Sequence, residues 1–207
     1  MLIVMSFKKL NPYLLEMLER FSIEEPTPFQ KSSIPIIKSG SNVYCTAPKD
    51  SGKTTTLILT TLQILKCEAV GNAPRAVVVV ENKEKVLELY DEFLRYTKYS
   101  SLRVYASYKE LHIDIQKSEI FEGIDILITT PTTLHKLFLL NGVSTSQLKI
   151  CSIDDGGFLT QKSDYTAMIT VAQSIMKCQY VLYSEKINPK LKRFEEFFME
   201  RAQHVKI

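Results

Sequence analysis

Short runs of β-branched and apolar residues, each separated from the next by a longer segment, leave this chain few ways to fold. The runs are Asn42–Ala47, Arg75–Val80, Leu102–Ser107, Asp125–Thr130, Lys149–Asp154 and Gln179–Ser184. Several are almost continuously hydrophobic rather than alternating, as a strand covered on both faces reads. Between and after them the pattern predicts helices over Thr54–Cys67, Lys83–Tyr96, Thr132–Leu140, Tyr165–Lys177 and Pro189–Arg201. In the second of these, Val86, Leu89, Tyr90, Phe93 and Leu94 recur at three- and four-residue spacing and make one apolar stripe. Strand and helix in alternation imply an α/β fold, a mainly parallel sheet with helices on both faces. His204–Ile207 reads as one more edge strand.

The first 40 residues differ. Pro12–Arg20 predicts a helix with Leu14, Leu15 and Leu18 on one face, and Gln30–Lys38 predicts a second. Between them, Glu24-Glu25-Pro26-Thr27-Pro28 is a stiff extended turn, because each proline fixes its own φ and restricts the residue before it. No linker is long enough to divide the chain. The expectation is one domain over 41–207 with an N-terminal helical extension over 1–40.

Composition narrows the function classes. With 45% hydrophobic and 24% charged residues, enough apolar material is available to exclude disorder as the dominant state. No apolar run approaches the ~20 residues that span a bilayer. The Met1–Met5 patch is too short for a signal-peptide core and has no basic flank. A cytoplasmic location with no membrane association is the expectation. A net charge of +3 neither demands nor excludes a nucleic-acid partner. Cys45, Cys67, Cys151 and Cys178 match no zinc or redox spacing, and the three histidines are scattered. A metal held by protein groups alone is not expected.

After the first strand comes Ala47-Pro48-Lys49-Asp50-Ser51-Gly52-Lys53-Thr54, then a Thr- and Leu-rich helix. This is the end of a phosphate-binding P-loop in the context it needs: strand, turn, helix start. Such a loop points backbone N–H groups at phosphates with the positive end of the helix behind them. Lys53 is placed to reach the β and γ phosphates, and the Thr54 hydroxyl to hold Mg²⁺.

Pro26-Thr27-Pro28-Phe29-Gln30, then Ala47–Thr54, then Thr130-Pro131, then Ile153-Asp154-Asp155 follow one another with a spacing that resembles the first RecA-like domain of the DEAD-box RNA helicases. The resemblance covers nearly the whole chain. It implies a RecA-like P-loop fold, an ATP and Mg²⁺ site, a single-stranded RNA track along one edge of the sheet, and a second RecA-like domain that closes on the first. That second domain is not in this chain. The resemblance assigns adenine reading to Gln30, whose amide both donates and accepts. Phe7 corresponds to the aromatic that stacks on the base, or is a hydrophobic anchor for the extension. By the same resemblance Asp154 holds Mg²⁺ through water, and Asp155 stands where a Glu positions the attacking water.

Departures from the family pattern predict weakened chemistry. Asp50 stands where the family has Gly. At about 5 Å and an effective dielectric of about 20, each unit charge pair between it and a phosphate costs roughly 3 kcal/mol, unless Asp50 turns outward. Asp155 shortens the family's Glu by one methylene, and a misplacement of ~1 Å can cost ~10²-fold in rate. Gly157 removes the last acid of D-E-A-D, and S-A-T reads Ser184-Glu185-Lys186. Of the RNA motifs, P-T-R-E-L has become Glu81-Asn82-Lys83-Glu84-Lys85, T-P-G-R has become Thr130-Pro131-Thr132-Thr133, and no Gly-Gly turn occurs near Ser107-Tyr108. Arg95, Lys98, Arg103 and Lys109, interleaved with Tyr96, Tyr99, Tyr105 and Tyr108, offer a replacement surface of basic and stacking groups. The expected function is a degenerate helicase-like domain that binds ATP and single-stranded RNA without being a competent helicase alone. The alternative is a pseudo-enzyme that serves as a protein-interaction module with a vestigial nucleotide site.

Overall fold

The computed structural model describes Phe7 and residues 9–207; the Met1–Met5 patch lies outside the described residues. In chain order the elements are α1 Pro12–Arg20, α2 Pro28–Lys38, β1 Val43–Thr46, α3 Lys53–Ile64, β2 Ala76–Val79, α4 Lys83–Thr97, β3 Val104–Ser107 and α5 Ile113–Gly123. There follow β4 Ile126–Thr129, α6 Pro131–Leu139, β5 Ile150–Ile153, a 3-10 turn at Gly156–Thr160, α7 Lys162–Gln173 and β6 Gln179–Ser184. The last are α8 Pro189–Lys192, a 3-10 turn at Arg193–Glu196, and β7 Gln203–Lys206. The strands form one seven-stranded sheet in the order β3-β4-β2-β5-β6-β1-β7, and every pairing is parallel. This is the RecA-like α/β fold.

Period-two alternation divides the strand residues between two cores. Val43, Cys45, Val78 and Ile126 face a layer built from α1 to α4, where Leu14, Ile34, Leu57 and Val86 are buried. Tyr44, Val79, Leu127 and Leu182 face α5 to α8, where Ile120, Leu137, Met168 and Leu191 are buried. The N-terminal extension is therefore part of the first core. Phe7 is 2% exposed and sits in that core too. Local signals start the helices. Pro occupies the first turn of α1, α2, α6 and α8, where its missing N–H costs nothing. The side chains of Asn11, Thr27, Asn82, Thr130 and Asn188 cap the same four helices and α4.

Two segments differ from the sequence expectation. The helix α5 was not anticipated, because Ile115 and Phe121 are exposed while Gln116 is buried, so no clean apolar stripe marks it. The single helix expected over Pro189–Arg201 stops after Lys192. Three successive amides, those of Phe197, Phe198 and Met199, all donate to the Phe194 carbonyl. Phe194 itself is fully buried and stacks on Tyr165 at 5.0 Å between ring centroids. Tertiary packing of the aromatic cluster overrides the helical period there.

At the start of β2, β3 and β4 lies a buried ionic cluster. Asp125 is fully buried; its Oδ1 accepts from Arg75 Nη2 at 2.7 Å and from the Val70 amide at 3.1 Å. Its Oδ2 accepts from Arg103 Nε at 2.9 Å and from the Arg103 amide at 3.1 Å. Arg75, also buried, donates in addition to the carbonyls of Leu65 and Glu68.

Candidate nucleotide site

In a parallel sheet, loops that leave the carboxyl ends of the strands gather on one edge, and this is where ligands bind. Here the loop after β1 (47–52) and the loop after β5 (154–155) lie on either side of β6, which pairs with both strands. The first loop holds the P-loop residues and the second holds Asp154 and Asp155.

The P-loop is shaped by backbone geometry. Gly52 has φ +92 and stands as the N-cap of α3. A Cβ there would lie 2.9 Å from Gln30 Nε2 and 3.3 Å from Thr27 Oγ1, so only glycine fits. Asp50 also adopts a left-handed backbone, with φ +59, and is exposed. The family's Gly suits that conformation; Asp tolerates it better than most side chains, because its short polar group bonds locally. Lys53 Nζ donates to the carbonyls of Ala47 at 2.7 Å and Pro48 at 2.6 Å, so the loop wraps its own ammonium. Thr54 is exposed in the first turn of α3.

Gln30 and Thr27 lock against this loop. Thr27 Oγ1 donates to the Ser51 carbonyl at 2.7 Å. The Thr27 amide donates to Gln30 Oε1 at 2.9 Å and the Gln30 amide donates to Thr27 Oγ1 at 3.2 Å, a reciprocal capping box. Gln30 is buried at 3% exposure, with its amide nitrogen toward Gly52. In the sequence Thr27 stands out only within the Pro26–Gln30 motif; the Thr-x-x-Gln spacing is the signal that marks it as a clamp on the loop.

The residues present fit a nucleotide phosphate. Ser51 Oγ is buried with no hydrogen-bond partner among the described residues, and a polar atom left so costs about 1–3 kcal/mol. It sits in a loop that opens a helix of 12 residues. Gln30, Ser51, Gly52, Lys53 and Thr54 would hold the nucleotide, and Thr54 with Asp154 would hold Mg²⁺, which would supply positive charge there.

Asp154 follows β5, and its amide donates to the Val79 carbonyl at 2.9 Å. Burial pushes its carboxyl up to about 6; Asp155 adds to the shift, while Lys85 and Lys53 oppose it. Asp155 is exposed, with a left-handed φ of +48. Gly156 lets this turn pack on β6, since a Cβ there would come within 3.0 Å of Leu182. Ser184 Oγ donates to the Lys186 carbonyl at 2.8 Å, so it is engaged in its own turn.

A stability prediction follows from the raised Asp154 value. The folded state binds this proton more tightly than the unfolded chain does. The favourable contribution is present below pH ~4 and is lost as pH rises through about 6. At pH 7.5 the ionised carboxylate therefore costs about 3 kcal/mol. Asp154→Asn should raise the urea midpoint at pH 7.5 and leave it nearly unchanged at pH 4. An equal effect at both values would remove the electrostatic explanation.

The replacement RNA surface expected from the sequence does not form as one face, although Arg95, Lys98 and Tyr99 stay together at one end of α4. Arg103 is committed to Asp125 at the amino end of β3, Tyr96 is buried, and Tyr108 and Lys109 leave the opposite end of that strand. Arg95 and Lys98 lie at the far end of α4, over the rings of Phe21 and Tyr99. A strand alternates and a helix turns, so residues adjacent in sequence are sent to different places. At the carboxyl edge, Lys83 Nζ lies 5.1 Å from the Tyr108 ring centroid. Beside it, Lys109, Gln116, Thr132, Thr133 and Lys136 line a cleft.

The family model described as DEAD/DEAH box helicase matches residues 27–187. The chain belongs to the DEAD/DEAH box helicase family. The family member named probable ATP-dependent RNA helicase ddx52, from Dictyostelium discoideum, is 27% identical over 93% of this chain and 29% of its own length. ATP-dependent RNA helicase DeaD from Buchnera aphidicola subsp. Schizaphis graminum is 25% identical over 98% of this chain and 34% of its own. The chain thus spans about a third of these helicases. Among solved structures, Saccharomyces cerevisiae Dbp5 bound to RNA and ADP BeF3 superposes with a TM-score of 0.85 at 18% identity, over 99% of this chain and 52% of that one. Prp28 from Chaetomium thermophilum bound to ADP gives 0.81 at 19% identity, over 99% and 51%. At those identities the likeness concerns the helicase fold.

Proposed function

We propose that this DEAD/DEAH box domain binds a nucleotide at the P-loop and single-stranded RNA along the carboxyl ends of β2, β3 and β4, without unwinding RNA by itself. The observation that carries the reading is the loop: Lys53 wrapped by its carbonyls, Ser51 Oγ left without a partner, and Gln30 and Thr27 clamped on Gly52. Bound Mg²⁺ would supply charge neutralisation at the phosphates. Lys53 then serves as the phosphate cation, and Gln30 reads the base once its amide is released from Thr27. Asp155 orients water, less well than the family's longer Glu. Phe7, buried in the first core, anchors the extension.

Calorimetry with ATP and Mg²⁺, followed by single-stranded RNA, tests the reading. Nucleotide binding with RNA-stimulated turnover near zero is the expected result for these 207 residues tested alone, because the cations that the family places on the developing phosphate charge come from a second RecA-like domain. Clear RNA-dependent turnover by this chain alone would contradict it. RNA affinity should fall steeply with salt, and changing Lys83, Lys109 and Lys136 together to Ala should flatten that slope, since phosphate contacts release counterions. Tyr108→Ala should weaken binding and leave the slope nearly unchanged. The exposed Asp50 and the acidic Glu81 in place of the family's Pro favour a second reading, a protein-interaction module. That reading gains if neither nucleotide nor RNA binds near physiological salt and a protein partner is recovered instead.

A further inference from the structure

The turn between β3 and α5 contains no glycine from Ser107 to Ile113, although the family pattern has Gly-Gly there. Nor does α5 begin on a side-chain cap. Its N-cap His112 bonds no amide of the first turn, whereas α1, α2, α4, α6 and α8 all start on a capping Asn or Thr. The turn is held instead by Gln116, the fourth residue of α5, which is buried at 1% exposure. Gln116 Nε2 donates to the carbonyls of Tyr108 at 3.2 Å and Leu111 at 2.8 Å, and its Oε1 accepts from the Ser107 hydroxyl. Carbonyl oxygens only accept, so these two fix which end of the carboxamide is the nitrogen. The Leu111 amide closes the same turn on the Tyr108 carbonyl at 3.2 Å. Both N–H groups of the carboxamide are thus engaged by the turn, and neither is left for a ligand. What the turn carries is basic and aromatic. Tyr108 lies 5.1 Å from Lys83 Nζ, and the exposed Lys109 shares its cleft with Lys136 of α6 and with Gln116 itself.

We propose that Gln116 is a positioning residue for RNA: one buried carboxamide takes the place of the absent Gly-Gly turn and sets Tyr108 and Lys109 beside Lys83 and Lys136, so that their ammonium groups meet the phosphates of one strand. The role rests on the RNA reading above. Gln116 touches no RNA; it acts through the turn. A buried amide that satisfies two carbonyls and a hydroxyl at once is costly to misplace, because each group left unpaired keeps its desolvation penalty. The turn is therefore ordered before RNA arrives. Without Gln116 it has to be ordered on binding, and that cost is subtracted from the affinity.

Two measurements test the proposal. The first is the salt dependence of binding to a single-stranded oligouridylate, for the native chain, Gln116→Glu and Gln116→Met. The Glu variant keeps the acceptor for Ser107 but turns a carboxylate on two carbonyls; the Met variant removes all three bonds at similar size. Each should bind about tenfold more weakly. Each should also lower the slope of log affinity against log salt by about 0.7, the share of one phosphate contact on a single strand. In a Lys109→Ala background neither should lower the slope again, because the contact they misplace is already gone. Native affinity in both variants, or a second fall in slope in that background, would overturn the proposal. The second measurement is hydrogen exchange. In the native chain the Leu111 amide should exchange at least about tenfold slower than in an unstructured peptide, and it should lose that protection in Gln116→Glu. Exchange at the free rate in the native chain would show that the turn is not held, and the proposal would fall even if neither variant folds. If the native chain binds no oligouridylate, the RNA reading fails and the positioning role falls with it, while exchange at Leu111 still decides whether Gln116 holds the turn.

Discussion

Asp125→Ala should cost this domain about 3–5 kcal/mol, a large share of the ~5–15 kcal/mol that holds a typical domain folded. The reason is the company it leaves behind. Arg75 is buried at 2% exposure and would keep an uncompensated charge, with only the carbonyls of Leu65 and Glu68 to meet it. Two backbone amides, those of Val70 and Arg103, would lose their acceptor as well. Arg103 is a third exposed, so its share is screened by water and contributes less. The melting temperature should fall by roughly 10 °C, measured by circular dichroism. The pH dependence has the opposite sign to that of Asp154. Burial raises the Asp125 carboxyl, but the bonds from Arg103 and Arg75 outweigh it and the net shift is downward. Its contribution is therefore present at neutral pH and is lost as pH falls through the folded value. A loss under about 1 kcal/mol for Asp125→Ala would show that the two arginines find water instead.

Asp50→Gly should raise ATP affinity at least tenfold, about 1.4 kcal/mol, and Lys53→Ala in that background should abolish measurable binding. Two effects act together. The carboxylate beside the phosphates disappears, and the left-handed backbone at φ +59 passes to the residue that adopts it without strain. The second effect by itself predicts a small gain in stability without ligand, about 0.5–1 kcal/mol. The two are separable, because a Tm gain without an affinity gain would mean that the exposed Asp50 side chain points to solvent when ATP binds. Calorimetry on the native chain, Asp50→Gly and Asp50→Gly with Lys53→Ala makes the comparison. Micromolar binding by the native chain, unchanged in Asp50→Gly, would end the electrostatic account of Asp50.

Much of the fold and of the phosphate loop is legible in the sequence alone. Near-continuous apolar runs such as Val77–Val80 and Ile126–Ile128 required strands covered on both faces, and alternation with helical segments required parallel pairing. The Gly52-Lys53-Thr54 triplet after a strand placed the phosphate loop, and Asp154-Asp155 after another strand placed the carboxylates. These signals are local, set by the chemistry of a few neighbouring residues, so a sequence displays them. The helix α5 was hidden for the converse reason. It exposes Phe121 and buries Gln116, whose carboxamide accepts from Ser107 at the end of β3 and donates to the carbonyls of Tyr108 and Leu111.

What the sequence by itself determined is the parallel α/β architecture, the place of the P-loop and the identity of the carboxylates, because periodicity and motif spacing act within one element at a time. What only the tertiary structure decided is which charges meet. Arg103 looked free to bind RNA and is instead half of a cluster on Asp125, 22 residues away. Coulomb energy depends on distance in space, and strand order, which brings residues far apart in the chain into contact, is not written in any local stretch of it.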